Sequence, residues 1–162
     1  LANGNLTLVQ PSGKYTFPAN SNYVILVNGD LRINEEIHVP TTSTVSFSVS
    51  GNIYVDKNVG ENNYKSTKSN IEGSYSTDKS FIVEGTNDCA IGADKRLNAA
   101  GSVITNASLT GGPPAGGFQN QRDLCGGNAE CPVFSISGRP DFLLNAPNIV
   151  RQKSQVWREV AP

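Results

Sequence analysis

The side chains able to do chemistry are few. Cysteine occurs three times, as Cys89, Cys125 and Cys131, and histidine once, as His38. Cys125 and Cys131 enclose Gly126, Gly127, Asn128, Ala129 and Glu130. Such a glycine-bearing loop closes readily, so a Cys125–Cys131 disulfide is expected in an oxidising compartment. Cys89–Cys125 is the competing pairing. A structural zinc site needs four ligands, usually in close-spaced pairs, and these residues do not supply them. Any Ser-His-Asp or Cys-His reaction would run through His38. It sits in Ile37-His38-Val39-Pro40 and reads as a strand histidine facing away from Ile37 and Val39.

Paired carboxylates can serve glycoside hydrolysis. The best charged group is Asp88, Asp94, Lys95 and Arg96, with Arg122 and Asp123 second, while Asp30, Glu35 and Glu36 lie near one repeat. No local motif fixes a nucleophile, an acid or a metal among them, so they read as solvated turns with surface ion pairs. Asn87 and Asp88 are candidate calcium ligands, without an Asp-x-Asp-x-Asp-Gly loop around them. Catalytic, cofactor-binding and metal residues are each read as none, and the chain is read as not an enzyme. Tyr54, Tyr64, Tyr75 and Trp157 are of the type that stacks on sugars, with core or corner packing the preferred reading. Asn5-Leu6-Thr7 and Asn106-Ala107-Ser108 match the glycosylation triplet, a pattern frequent by chance.

The elements that must carry these residues are strands. The chain has 162 residues, 13 basic and 14 acidic, with 16 glycines, nine prolines, no methionine and only 17% charged residues. That composition excludes a coiled coil or helical bundle. A net charge of −1 leaves no basic field for nucleic acid or anionic lipid. No apolar run is long enough for a membrane-spanning helix. The first residue is Leu1, with no initiator Met, as expected of a processed or excerpted piece of a longer protein.

One pattern returns along the chain: apolar-x-Gly-x-apolar-x-apolar. It appears at Val27–Ile33, at Val49–Val55 and, more loosely, at Ala99–Thr105. Asn3–Leu8 and Phe81–Thr86 carry half of it. Alternation puts one face inward and one outward, and a glycine permits a corner or a close backbone approach. The expectation is an all-β single domain over 1–162, a parallel β-helix (β-solenoid), with a β-sandwich as the alternative. Strands are expected at Tyr23–Leu26, Leu31–Ile33, Val45–Val49 and Ile53–Val55, with Val45, Phe47 and Val49 inward. The polar stretch 61–80 and the Gly/Pro-rich stretch 111–132 are expected as loop excursions, the first with local strands of its own. Residues 133–162 are expected as a C-terminal cap or tail, including one helical turn from Pro140 to Pro147.

Three pieces carry a resemblance. They are the Val-x-Gly-Asp/Asn-Leu/Ile repeats at 27–33 and 49–55, the stretch Leu97-Asn98-Ala99-Ala100-Gly101-Ser102-Val103, and the ending Phe142-Leu143-Leu144-Asn145-Ala146-Pro147 with Trp157-Arg158-Glu159-Val160-Ala161-Pro162. Together they resemble the C-terminal β-solenoid-like regions of large, uncharacterised surface proteins of candidate-phyla (ultra-small) bacteria. The resemblance implies an extracytoplasmic domain at the end of a long polypeptide and brings no catalytic residues. The expected function is a non-catalytic extracellular structural or adhesive module of a cell-surface protein. Self-assembly is expected through the ends of the fold or through Val156, Trp157 and Val160 of the tail. The alternative is a carbohydrate-binding or polysaccharide-degrading β-helix protein. Expected partners are further copies or other surface proteins, with carbohydrate as the alternative; nucleic acid, cofactors and membrane insertion are not expected.

Overall fold

The computed structural model describes residues 1–11, 13–107 and 116–146. Alternation in the sequence becomes alternation in burial. Val45, Phe47 and Val49 point inward and are at most 2% exposed, while Ser46 and Ser48 point outward. The short apolar-x-apolar segments Leu31–Ile33, Ile53–Val55 and Phe81–Val83 bury both outer positions and leave the middle one outside.

The strands pair in parallel throughout and form two sheets. The larger has eight strands. Its path runs β1 (Ala2–Asn3), β4 (Asn22–Asn28), β7 (Thr44–Val49), β9 (Ile71–Thr77), β11 (Leu97–Ile104) and β13 (Phe134–Ser137). Off this path, β3 (Lys14–Thr16) pairs with β6 (Glu36–His38), which also joins β9. The smaller sheet has five strands in the order β12 (Phe118–Asn120), β10 (Phe81–Val83), β8 (Ile53–Val55), β5 (Leu31–Ile33) and β2 (Leu6–Leu8). Outside these strands Glu61 and Arg96 form an isolated antiparallel bridge.

This corrects the fold class expected from the sequence. The β-helix and its β-sandwich alternative both give way to a mostly-strand arrangement of two separate parallel sheets, of eight and five strands. A sandwich of hairpins would place antiparallel strands side by side. A regular coil repeat breaks down at β9, which pairs with β6 at Ile37↔Ile71 and with β7 at Ser46↔Ser74. Two strands of one passage thus merge into a single strand of the next.

Other boundaries also shift. Within 61–80, expected as a loop excursion holding local strands, residues 71–77 are an interior strand with strict alternation of burial. Within 111–132, β12 and a 3-10 turn at Cys125–Ala129 are ordered secondary structure. The expected helical turn is α1 (Pro140–Asn145), which has proline in its first turn. Its Phe142 is buried and lies against the position of Gly101, while Asn145 donates to the Thr41 carbonyl.

Columns of like residues hold successive passages together. Phe47 stacks on Tyr75 with rings 5.2 Å apart, and Phe81 stacks on Phe118 at 6.0 Å. At one corner the side-chain oxygen of each residue accepts the main-chain N–H of its neighbour in the next passage. Asn5 accepts from Asp30, Asp30 from Asn52, Asn52 from Ser80, and Ser80 from Gly117. Polar residues at the corner therefore satisfy backbone donors that turns leave unpaired. Gly51 is required beside them: a Cβ there would lie 2.1 Å from Asp30 Oδ1 and 2.6 Å from the Gly29 carbonyl. Thr77 also donates its hydroxyl to the Gly51 carbonyl.

Candidate functional site

The main cluster of charged side chains lies where three loops meet beside the five-stranded sheet. The 56–60 loop follows β8, the 84–96 loop follows β10, and the 121–131 loop follows β12. Arg122 is at their centre and only 4% exposed. Its guanidinium donates to four main-chain carbonyls: Nε to Glu84 at 2.8 Å, Nη1 to Val59 at 2.7 Å and to Lys95 at 3.0 Å, and Nη2 to Asp56 at 2.7 Å. Burial pushes its pKa down to about 10, while the charges of Asp94, Asp56 and Glu84 act the other way. It stays protonated at neutral pH. A buried charge needs such partners, and here neutral carbonyls provide them.

Asp94 ties two of these loops together. Its carboxylate accepts the N–H and hydroxyl of Thr86, the N–H of Asn87 and the N–H of Asp123. Burial works against the charge, but the N–H groups of Thr86, Asp123 and Asn87 outweigh it, and the carboxyl is held below its ordinary range. Asp123 in turn accepts the N–H of Cys125 and the amide of Asn128. Gly85 lets the backbones meet, since a Cβ there would lie 2.3 Å from the Gln121 carbonyl.

With the two loops fixed, the disulfide follows. It joins Cys89 to Cys125, with Cα atoms 5.8 Å apart, and Cys131 remains a free thiol. This corrects the favoured Cys125–Cys131 pairing. The ligand atoms of Cys89, Cys125 and Asp123 lie within 4.8 Å of one another. That set does not fit a metal in the oxidised chain, because both sulfurs are tied up in the disulfide rather than presented as thiolates.

The expected polar cluster is only partly assembled. Asp94 stands at the loop junction, and Asp123 and Arg122 join it there. Lys95 donates to the Asn58 carbonyl and Arg96 to the Tyr64 carbonyl, each reaching a different loop. Asp88 caps its own turn by accepting the N–H of Ala90. Each of these groups has at least one main-chain partner. A polar depression of about 220 Å³ opens beside it, lined by Lys57, Asn62, Thr86, Ile91 and Asp94 among others. Arg122 acts as the anchor of the junction, a role that its place in Gln121-Arg122-Asp123 does not signal.

His38 sits on β6, and its Nδ1 lies 3.1 Å from Glu72 Oε2. The same oxygen accepts the N–H of Val39 at 2.7 Å and Arg139 Nη1 at 3.1 Å. Arg139 also pairs with Asp141 and reaches the Val39 carbonyl. Glu72 and Arg139 therefore fasten α1 to the larger sheet, a pairing invisible in sequence because 67 residues separate them. A further group joins Lys68 Nζ and Asn70 Nδ2 to the carboxylates of Glu36 and Glu61.

The aromatic candidates divide. Tyr75 is 1% exposed and belongs to the core. Burial pushes its hydroxyl well above the ordinary tyrosine range, with the charge of Glu72 adding to the shift. Tyr54 has the Arg32 guanidinium over its ring at 4.9 Å, and Arg32 is held by Glu84 at 2.7 Å. Tyr64 packs beside Gly127. Val156, Trp157 and Val160 lie outside the described residues. No helix among the described residues is long and apolar enough to cross a membrane. Comparison with protein-family models, with curated proteins and with solved structures finds no match.

Proposed function

We propose that this chain is a non-catalytic structural or adhesive module of an extracellular cell-surface protein. One observation carries the reading: the charged residues of the loop junction are bound to main chain. Arg122 holds four carbonyls, and Asp94 holds the N–H groups of two loops. Charges used this way stiffen a scaffold and are not available to transfer protons. The Cys89–Cys125 disulfide supports an oxidising compartment, as on a cell surface. The resemblance of the 27–33, 49–55 and 142–162 motifs to surface proteins of ultra-small bacteria points the same way. Other surface proteins or further copies are the partners this reading names.

The test is a screen of the oxidised protein against a broad polysaccharide panel, scoring released reducing ends and retained glycan. Neither turnover nor binding is the expected result. Turnover lost on replacing Asp94 or Asp123, with the fold retained, would make the chain an enzyme and end this reading. Glycan retention lost on replacing Lys57 or Asn62, which line the polar depression, would move it to the carbohydrate-binding class.

A further inference from the structure

We infer that the loop junction has a second, redox-gated state: once the Cys89–Cys125 disulfide is reduced, Cys89, Cys125 and Asp123 together bind one zinc ion. The inference goes beyond the structural reading above and does not depend on it. The ligand atoms of the three residues already lie within 4.8 Å of one another. Zinc held tetrahedrally by sulfur at ~2.3 Å and oxygen at ~2.1 Å sets its ligand atoms ~3.6–3.8 Å apart, so small side-chain movements complete the fit. Cα atoms 5.8 Å apart keep both thiolates within reach of one ion. Two thiolates and a carboxylate suit a borderline-soft divalent cation. Cys89 is exposed, and Asp123 and Cys125 are half-buried, so reductant and ion can both enter.

The junction keeps these ligands together without the disulfide. Cys89 stands on the 84–96 loop, and Asp123 and Cys125 stand on the 121–131 loop. Asp94 joins the two, its carboxylate accepting the N–H groups of Thr86, Asn87 and Asp123. Arg122 joins them again by donating to the Glu84 and Lys95 carbonyls. None of these contacts involves sulfur. Asp123 is itself oriented, because its Oδ1 accepts the Cys125 N–H and the Asn128 amide. Hydrogen bonds of this kind fix a ligating carboxylate in place. Cys131 is a free thiol outside the set. The fourth position therefore falls to water, as in an open three-ligand zinc site.

The gating step balances. A small dithiol gives two electrons and two protons to the Cys89–Cys125 bond and is itself oxidised to a disulfide, leaving two thiols on the chain. Zinc then forms two Zn–S bonds and one Zn–O bond, and both thiol protons pass to solvent. A small disulfide reverses the change: the Cys89–Cys125 bond re-forms, two small thiols are produced and the ion leaves.

Cobalt(II) titration of the reduced protein, desalted and kept free of oxygen, tests the site, with zinc added afterwards as competitor. Thiolate-bound cobalt absorbs strongly in the near ultraviolet, which carboxylate-bound cobalt does not. Saturation is expected at one cobalt per chain, with the band lost on adding one equivalent of zinc and absent from the oxidised protein. Cys89→Ser is expected to abolish the band, and Cys131→Ser to leave it unchanged. Asp123→Asn is expected to weaken zinc binding about tenfold or more while its oxidised form still makes the Cys89–Cys125 disulfide. A band that survives in Cys89→Ser, or that disappears in Cys131→Ser, overturns the assignment. So does the lack of a band in reduced protein that keeps its circular dichroism, and so does a loss of strand signal on reduction that zinc fails to restore. The polysaccharide screen is run on the oxidised chain, so its outcome and this one are read separately.

Discussion

Arg122 is the residue on which the loop junction depends. Replacing it by Met leaves four carbonyls without their donor, and unpaired buried polar groups cost about 1–3 kcal/mol each before relaxation. A loss of about 3 kcal/mol or more in chemical unfolding is expected for Arg122→Met. Arg122→Lys should recover little, because one ammonium cannot span four carbonyls on two loops. Asp94 makes a pH-dependent contribution. Its folded pKa lies below the ordinary value of 3.8, so its stabilisation is fully present above that value and is lost as pH falls through the folded one. Melting temperature should therefore drop on acidification below pH 3.8, and Asp94→Asn should flatten that part of the profile. An unchanged acid profile in the variant would remove Asp94 from the account. Before the structure, Asp94 stood out as part of a charged group, but its partners did not. Three of the four ligands of that carboxylate are N–H groups, and a main-chain donor leaves no mark in a sequence.

At the scale of elements, alternation was informative wherever apolar residues supplied it. Leu31–Ile33, Val45–Val49 and Ile53–Val55 are strands because branched and aromatic residues at every second position must share one buried face. Local strands were expected within 61–80, but β9 was not placed, because its inward positions are Ile71, Gly73, Tyr75 and Thr77 and only two of the four are large and apolar. Its strand character comes from β7 on one side and β11 on the other, which sequence pattern does not report. The grouping of the strands into two sheets of eight and five was not legible either, since it depends on the merging of two strands into β9. Cysteine spacing misled in a related way. A short loop closes easily in isolation, but Asp94 draws the 84–96 and 121–131 loops together and aligns Cys89 with Cys125. Thiol labelling of the folded, unreduced protein should modify Cys131 alone, as mapped by mass spectrometry. Removing the disulfide by Cys89→Ser closes no 36-residue separation in the unfolded chain and should cost up to about 4 kcal/mol. Gly51→Ala is expected to cost about 2 kcal/mol, because the added methyl meets backbone and the Asp30 carboxylate rather than a flexible chain end.

For the whole molecule, parallel pairing builds both sheets. Ladder hydrogen bonds, aromatic stacks and the corner chain from Asn5 to Gly117 all run along one direction. On this account the charged residues of the loop junction serve the framework and no reaction, and a screen of the oxidised protein against the polysaccharide panel tests that most directly. The account expects neither released reducing ends nor retained glycan. Turnover that is lost in Asp94→Asn or Asp123→Asn, with the fold retained, would contradict it.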